Sequence, residues 1–499
     1  MIYLPILLPL VFALISLLLW KSARLQKWVA VGGTLVMVGV NIGLLVAVTR
    51  EEVLTSQVGS WQAPFGISLV VDHLSAILLL AGSVAALASA VYSLAGIDDT
   101  RVRWGYFPLF HFLMMGVNGA FSTGDLFNLY VWFEVMLMTS FVMMVLGGER
   151  RQLEGGLKYV ILNLLSSMLF LSAIGLTYHY TGALNLADLA LKIQTIRPEG
   201  TILMIGVLFL AGFGIKAALF PFFFWLPASY HTPPVTITAL FSGLLTKVGF
   251  YAMLRIFSLL LSEQWGYVQP VLLILAGLTM VTGVLGAAAQ TDFRRLLSFH
   301  IISQIGYLLM GLALFTMESV AASIYFTVHV IFAKMALFFV AGMVQARLGS
   351  FDLRRLGGLY RSQPILGMFF LLPAMALAGL PPLSGFFAKL YLIIASLEIH
   401  RYLMVGIALA VSFLTLFSMT KIWNEVFWKP NPRSNPEQIG MVNHTSPLPA
   451  SMWIPVIGLG ILVILLGIFA GPCFELASQA SAGIIDPQVY INSVLGGVR

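Results

Sequence analysis

The chain has 499 residues, 59% hydrophobic and 9% charged, with a mean hydropathy of +0.95 and a net charge of +7. A soluble domain carries about 25% charged residues, so this composition is that of a polytopic membrane protein, and its positive charge is read against topology before any nucleic-acid partner is invoked. The single cysteine, Cys473, excludes a disulfide framework and a cysteine-ligated metal site within the chain. No GxGxxG, Walker, HExxH or CxxCH pattern occurs, so no nucleotide, zinc-protease or haem cofactor is expected.

The first apolar run, Met1 to Trp20, has no basic residue ahead of it, and Lys21, Arg24 and Lys27 follow. A cleavable signal peptide has the reverse order, so the run predicts an uncleaved span with its N-terminus outside. Further runs lie at about 28–49, 67–95, 105–122, 125–147, 157–180, 201–226 and 234–261, then 269–290, 296–315, 319–346, 364–397, 402–428 and 452–471. Fourteen transmembrane helices in an all-α fold are expected. Of the 27 lysines and arginines, seventeen then fall in inner loops, among them Arg150, Arg151, Lys158 and Arg433. Six fall outside, among them Arg255 and Arg499, and four remain in the membrane. This positive-inside bias places both termini outside and accounts for the net charge. The inner loop from Lys429 to Pro449, rich in Pro and Asn, reads as a linker. The outer stretch Thr181–Gly200 reads as a candidate surface helix, and the segment after Gly471 as a moderately polar tail.

Two helices are interrupted. The run ending Gly214-Ile-Lys216 meets Pro221 and Pro227; a cation at that depth costs roughly 2.5–3.5 kcal/mol, and broken backbone is tolerated there only when buried in protein or lining a wet cavity. In the other half, Pro381 and Pro382 interrupt the run that carries Lys389. Helices 4–8 and 9–13 form five-helix units entering the membrane from opposite sides, with the seventh and twelfth broken. Matched breaks of this kind point to an inverted repeat with its ion site at the interruptions. The expected division is 1–100, 101–262, 263–429 and 430–499.

Glu134 lies near mid-depth of the fifth helix, where it meets Lys216 or else serves as half of a structural ion pair. Lys247 sits among small residues in the eighth. His329 and Lys334 share the eleventh, spaced so that a direct hydrogen bond between them is not expected. Lysine suits proton transfer because it loses and regains its proton more readily than arginine; the alternative for any single one is snorkelling to the interface. Asp72 and Asp125 stand at helix starts, as caps or accessory groups. His231 is a candidate proton-uptake group or an ordinary loop histidine. His300 reads as packing, and no metal site is expected because histidines and carboxylates do not recur at ligand spacing. The physical reading is a proton-conducting chain: Glu134, Lys216, Lys247, His329, Lys334, Lys389.

The segments Gly214-Ile-Lys-Ala-Ala-Leu-Phe-Pro-Phe-Phe-Phe-Trp-Leu-Pro227, Trp132-Phe-Glu134 and Pro381-Pro-Leu-Ser-Gly-Phe-Phe-Ala-Lys389 resemble the antiporter-like proton-pumping subunits of respiratory complex I. That family includes the large subunits of Mrp-type multisubunit cation/proton antiporters, and Val58–Gly66, Tyr130–Glu134 and His329–Phe339 are most similar to its D-type branch. The resemblance covers the whole chain. It implies a Glu134–Lys216 charge pair with Lys216 as central carrier, relay by Lys247, His329 and Lys334, and Lys389 at the far gate. It also implies a bacterial cell membrane, partner subunits of types A, B, C, E, F and G, and exchange of H⁺ for Na⁺, with K⁺ or Li⁺ as further candidates. The other readings are a proton-pumping subunit of a complex I-like or hydrogenase redox complex, and a self-sufficient organic-ion carrier.

Overall fold

The computed structural model describes residues 1–430 and 447–496; most of the expected linker, together with Arg433 and Arg499, lies outside the described residues. Eleven helices among the described residues have the length and hydropathy to cross a membrane. The three further expected positions hold shorter helices: Leu4–Leu18, Tyr106–Ser122, and the broken pair Pro364–Ala378 and Ser384–Glu398. Val235–Leu260, Phe293–Leu314 and Met317–Leu348 are almost wholly buried, so they form the centre of the bundle.

Several elements differ from expectation. Residues 68–72 do not begin a helix: Ser68–Asp72 is a strand paired antiparallel with Val53–Gln57. Its Val70 and Val71 favour strand, but only Asp72 and His73 separate them from the apolar run of the helix His73–Gly96, so hydropathy alone merges the two. Asp72 ends the strand and caps that helix by accepting from the Ser75 amide at 2.9 Å. Arg150, Arg151 and Lys158 are not in a loop but on the first turns of the long helix Arg150–Thr181. The stretch after Thr181 forms the helix Leu186–Lys192, whose Leu186 to Ala190 are buried rather than on the surface. After Gly471 the chain continues as the helix Ala470–Ile485 and then Gln488–Leu495, with Ser481 donating to the Met317 carbonyl at 2.7 Å.

Arg255, expected in an outer loop, is 3% exposed inside Val235–Leu260 and pairs with Asp72 at 2.7 Å. The rings of Tyr490 and Tyr251 flank its guanidinium at 5.1 and 5.6 Å. A buried cation is tolerable when paired and enclosed in this way.

The internal repeat is marked in the backbone. Asp125 and Asn185 form an isolated antiparallel bridge, and so do Asp292 and Asp352, with the same spacing. Leu126 and Leu186 donate to Leu184 and Gly124; at equivalent places Phe293 and Leu353 donate to Phe351 and Thr291, all at 2.8–2.9 Å. Asp125 and Asp292 each cap the helix that follows. Five helices separate the two clasps, so the second unit runs the opposite way across the bundle. One clasp lies at the end that carries the β-hairpin, the other among Arg294, Arg295, Arg354 and Arg355.

Candidate functional site

The two helix breaks are built differently. Glu199–Ala217 stops where Ala218 adopts a left-handed φ of 60°, and Pro221, which lacks an amide hydrogen, follows. The chain turns through Phe222–Phe224 and resumes as the short helix Trp225–Ser229, which contains Pro227. Side chains satisfy the opened backbone: Trp225 Nε1 donates to the Ile215 carbonyl at 3.0 Å, and the Phe220 amide donates to Thr279 Oγ1 at 3.0 Å. In the second break Pro364–Ala378 ends at Gly379, φ 92°, passes Pro381 and Pro382, and resumes as Ser384–Glu398. Here the lysine itself does the capping. Lys389 Nζ donates to the carbonyls of Leu377 and Ala378 at 2.9 and 3.3 Å, at the end of a half-helix where a cation is favoured.

Lys216 is not held by its break. It is 7% exposed and donates to Ser167 Oγ on Arg150–Thr181 at 3.1 Å, with Nζ 5.5 Å from the centre of the Phe133 ring. Glu134, the next residue on Leu126–Val145, is half-buried, and its Oε1 has no hydrogen-bond partner among the described residues. Glu134 lies within electrostatic range of Lys216, but no ion-pair contact joins the two. Beside Lys216 a cavity of about 20 Å³ is lined by Tyr159, Asn163, Trp225 and Tyr230, room for one water; the buried Tyr230 hydroxyl has no protein partner among the described residues.

Lys247 and Lys334 are fully buried. Lys247 donates to the Ser242 carbonyl of its own helix. Two residues on, Gly249 lies against the backbone of Lys216 and Ala217; a Cβ there would be 2.9 Å from the Ala217 nitrogen. Lys334 donates to the Leu297 carbonyl at 3.2 Å and lies within electrostatic range of both Lys247 and Lys389. His329 turns to Ser384 Oγ, 2.8 Å from Nδ1, and not to Lys334. Lys389 also reaches Ser412 Oγ at 2.9 Å and lies 4.7 Å over the Tyr307 ring.

The remaining candidates lie toward the ends. His231 has Nδ1 2.9 Å from the Pro227 carbonyl, and burial holds its imidazole below the usual histidine range against the pull of Asp292. Next to it a cavity of about 450 Å³ is lined by Arg101, Glu149, Gln152, Thr232 and Arg294. At the hairpin end a cavity of about 290 Å³ is lined by Glu52, Asp72, His73, Asp486 and Tyr490. Burial pushes Asp72 up, but Arg255 and Ser75 outweigh it and hold the carboxyl below the usual range. Burial pushes Asp125 up to about 6, against the amides of Asn128 and Phe127. Both aspartates are caps, at the periphery of the lysine series.

The series is thus four buried lysines held by hydroxyls and backbone carbonyls, with ionisable neighbours at a distance. Such groups can exchange protons without an ion pair having to be torn apart, and lysine is the cation suited to it. Sequence reasoning missed Ser167, Ser412 and Tyr307, each one of several hydroxyl residues on its helix, and it set His300 aside. The signal that finds part of this set is a polar recurrence along Phe293–Leu314: His300, Gln304, Tyr307.

Residues 123–415 match the protein family described as NADH:quinone oxidoreductase/Mrp antiporter, TM. The chain is 43% identical over 495 residues to the D-type subunit of the Na(+)/H(+) antiporter of Alkalihalophilus pseudofirmus, covering 99% of each. Its fold is similar to a chain of the Mrp complex from Dietzia sp. DQ12-45-1b, with a TM-score of 0.92, 31% identity and 99% of each chain covered. It is also similar to a chain of the membrane-bound sulfane sulfur reductase, an archaeal respiratory membrane complex, with a TM-score of 0.87, 25% identity and 99% of each chain covered.

Proposed function

The chain belongs to the NADH:quinone oxidoreductase/Mrp antiporter transmembrane family, and from that premise we propose that it is the proton-translocating D-type subunit of a multisubunit Na⁺/H⁺ antiporter. The carrying observation is the series of four buried lysines, Lys216, Lys247, Lys334 and Lys389, in a chain matched end to end by the D-type subunit of an Na(+)/H(+) antiporter. It is a transporter subunit, works in a bacterial cell membrane, and assembles with subunits of types A, B, C, E, F and G. The arginine-rich end faces the cytoplasm, which leaves both termini outside. A three-helix segment (1–100) precedes the repeats (101–262 and 263–429), and the linker, last span and outer tail (430–499) follow.

Protons enter from outside, pass along Glu134, Lys216, Lys247, His329, Lys334 and Lys389, and drive Na⁺ out. Each charge crossing supplies about 2.3 kcal/mol per 100 mV of membrane potential. Glu134 acts on Lys216 through its field, and His231 serves the arginine-rich mouth. The likeness to an archaeal respiratory complex favours one second reading, a pump driven by redox chemistry in other chains.

The test is cation-induced collapse of ΔpH in everted vesicles from an antiporter-deficient host, with this chain and its genomic neighbours expressed together. Exchange that disappears in Lys216→Ala and in Glu134→Ala, with assembly intact, is expected. No response to Na⁺, K⁺ or Li⁺ from the assembled set would transfer the assignment to the redox-driven pump.

A further inference from the structure

The helix Phe293–Leu314 carries a polar stripe that the lysine series leaves unexplained. Leu297, His300, Gln304 and Tyr307 recur every three or four residues and so share one face. At one end of the stripe the Leu297 carbonyl holds Lys334. At the other the Tyr307 hydroxyl meets Ser412 Oγ at 2.9 Å, and Ser412 in turn holds Lys389 at 2.9 Å. Between them His300 has Nε2 2.6 Å from Ser418 Oγ and lies within electrostatic range of both Lys334 and Lys389. His300 and Gln304 are fully buried, and His300 Nδ1 and both amide atoms of Gln304 have no protein partner among the described residues. An unpaired buried polar atom costs about 1–3 kcal/mol. Three of them in succession on one face match a file of waters better than they match packing.

The repeat adds an independent argument. His300 stands as far beyond the capping Asp292 as Phe133 stands beyond the capping Asp125, one residue short of the place of Glu134. Each half therefore carries an ionisable side chain at this level of its equivalent helix, within range of the lysine of its own broken helix: Glu134 for Lys216, His300 for Lys389. His329 stands in a parallel position: its Nδ1 is engaged by Ser384, and its Nε2 has no protein partner among the described residues and lies beside Gly385, where a Cβ would come within 2.8 Å of it.

We propose that His300, with Gln304 ordering the water between, is the relay that carries protons from Lys334 to Lys389; this rests on the proton-translocating function above. The Lys334 ammonium gives a proton through water to Nδ1 of neutral His300, the imidazolium passes one proton on to the Lys389 amine, and the imidazole returns to neutral. One N–H bond breaks for each that forms. Gln304 does not take a proton and acts only by orienting water.

The experiment uses the complete antiporter in everted vesicles, reading Na⁺-dependent ΔpH collapse across a range of pH together with co-purification of the neighbouring subunits. His300→Leu and Gln304→Leu are expected to lower exchange at least about tenfold in assembled complexes. Gln304→His, which keeps a polar group on the stripe, is expected to retain much of the activity with a displaced pH profile. Wild-type rates in both leucine variants, alongside the loss in Lys216→Ala, overturn the relay and leave the function proposed for the chain standing. Absence of exchange in the assembled wild type overturns both. If His300→Leu prevents assembly, Ser418→Ala decides. A tenfold loss or a displaced pH profile there supports the relay, and an unchanged rate and profile overturn it.

Discussion

Lys216 Nζ lies 3.1 Å from Ser167 Oγ, and this hydroxyl, not the Glu134 carboxylate, is the lysine's hydrogen-bond partner. A carboxylate that stays out of contact influences the lysine through its field, while the serine fixes where the ammonium points. Electrostatics and position are therefore assigned to different residues and separate under mutation.

Ser167→Ala removes the positioning contact and leaves Glu134 untouched. A hydrogen bond to a charged group contributes about 1.5–3 kcal/mol, so exchange should fall roughly tenfold or more with assembly unchanged. Ser167→Thr should keep most of the rate. Everted-vesicle assays on the pair check this, and equal rates in Ser167→Ala and wild type would remove Ser167 from the site.

Gly249→Ala places a Cβ 2.9 Å from the Ala217 nitrogen and 3.2 Å from the Lys216 carbonyl carbon. Both neighbours are backbone and cannot rotate away, so the helices must part. Overpacking of this kind costs about 1–3 kcal/mol. A lower melting temperature of the purified protein in detergent is expected, with a loss of exchange larger than in Gly39→Ala, where a Cβ meets nothing within 4 Å.

The Asp72–Arg255 pair invites a double-mutant cycle. Asp72→Asn or Arg255→Met alone leaves one buried charge unpaired, at about 3–5 kcal/mol, while removing both should recover most of that loss. Thermal unfolding of the four proteins measures the coupling. Strict additivity of the single losses would show that the pair is not energetically joined.

Asp125 titrates at about 6, above the usual carboxylate range, because burial outweighs the two amides that favour its charge. A raised folded-state value means that the folded protein keeps this proton longer than the unfolded chain. The contribution is full below about pH 4 and is lost as the pH rises through about 6. Asp125→Asn keeps an acceptor for the Asn128 amide but cannot ionise. Its melting temperature should fall less than that of the wild type between those two pH values.

The parts of the site that are legible in the sequence are those that violate composition. A lysine within an apolar run, or a proline pair in mid-span, stands out because each is costly there, and so Lys216, Lys389 and both breaks can be named from the chain alone. Ser167 and Ser412 cannot, since hydroxyl residues are cheap in membrane helices and only packing selects which of them meets a lysine. Sequence reasoning assigns Arg255 to water because a charge near a helix end usually goes there; its partner Asp72 lies far away in the chain, beyond a strand that looks like helix. The clasp equivalence of Asp125 with Asp292 is hidden for another reason. It lives in backbone hydrogen bonds, which almost any side chain permits.

Lys389 occupies the open end of its half-helix as a cap. On the proposed proton path this capping ammonium also carries the transported charge, which makes the proton a structural ligand: while it is bound the helix end is latched, and when it leaves, two carbonyl groups lose their strongest partner together. Cargo and hinge pin are then the same particle. Loading state is thereby written into backbone geometry at that break without a separate sensor, and a neighbouring subunit that touches this helix could read it mechanically.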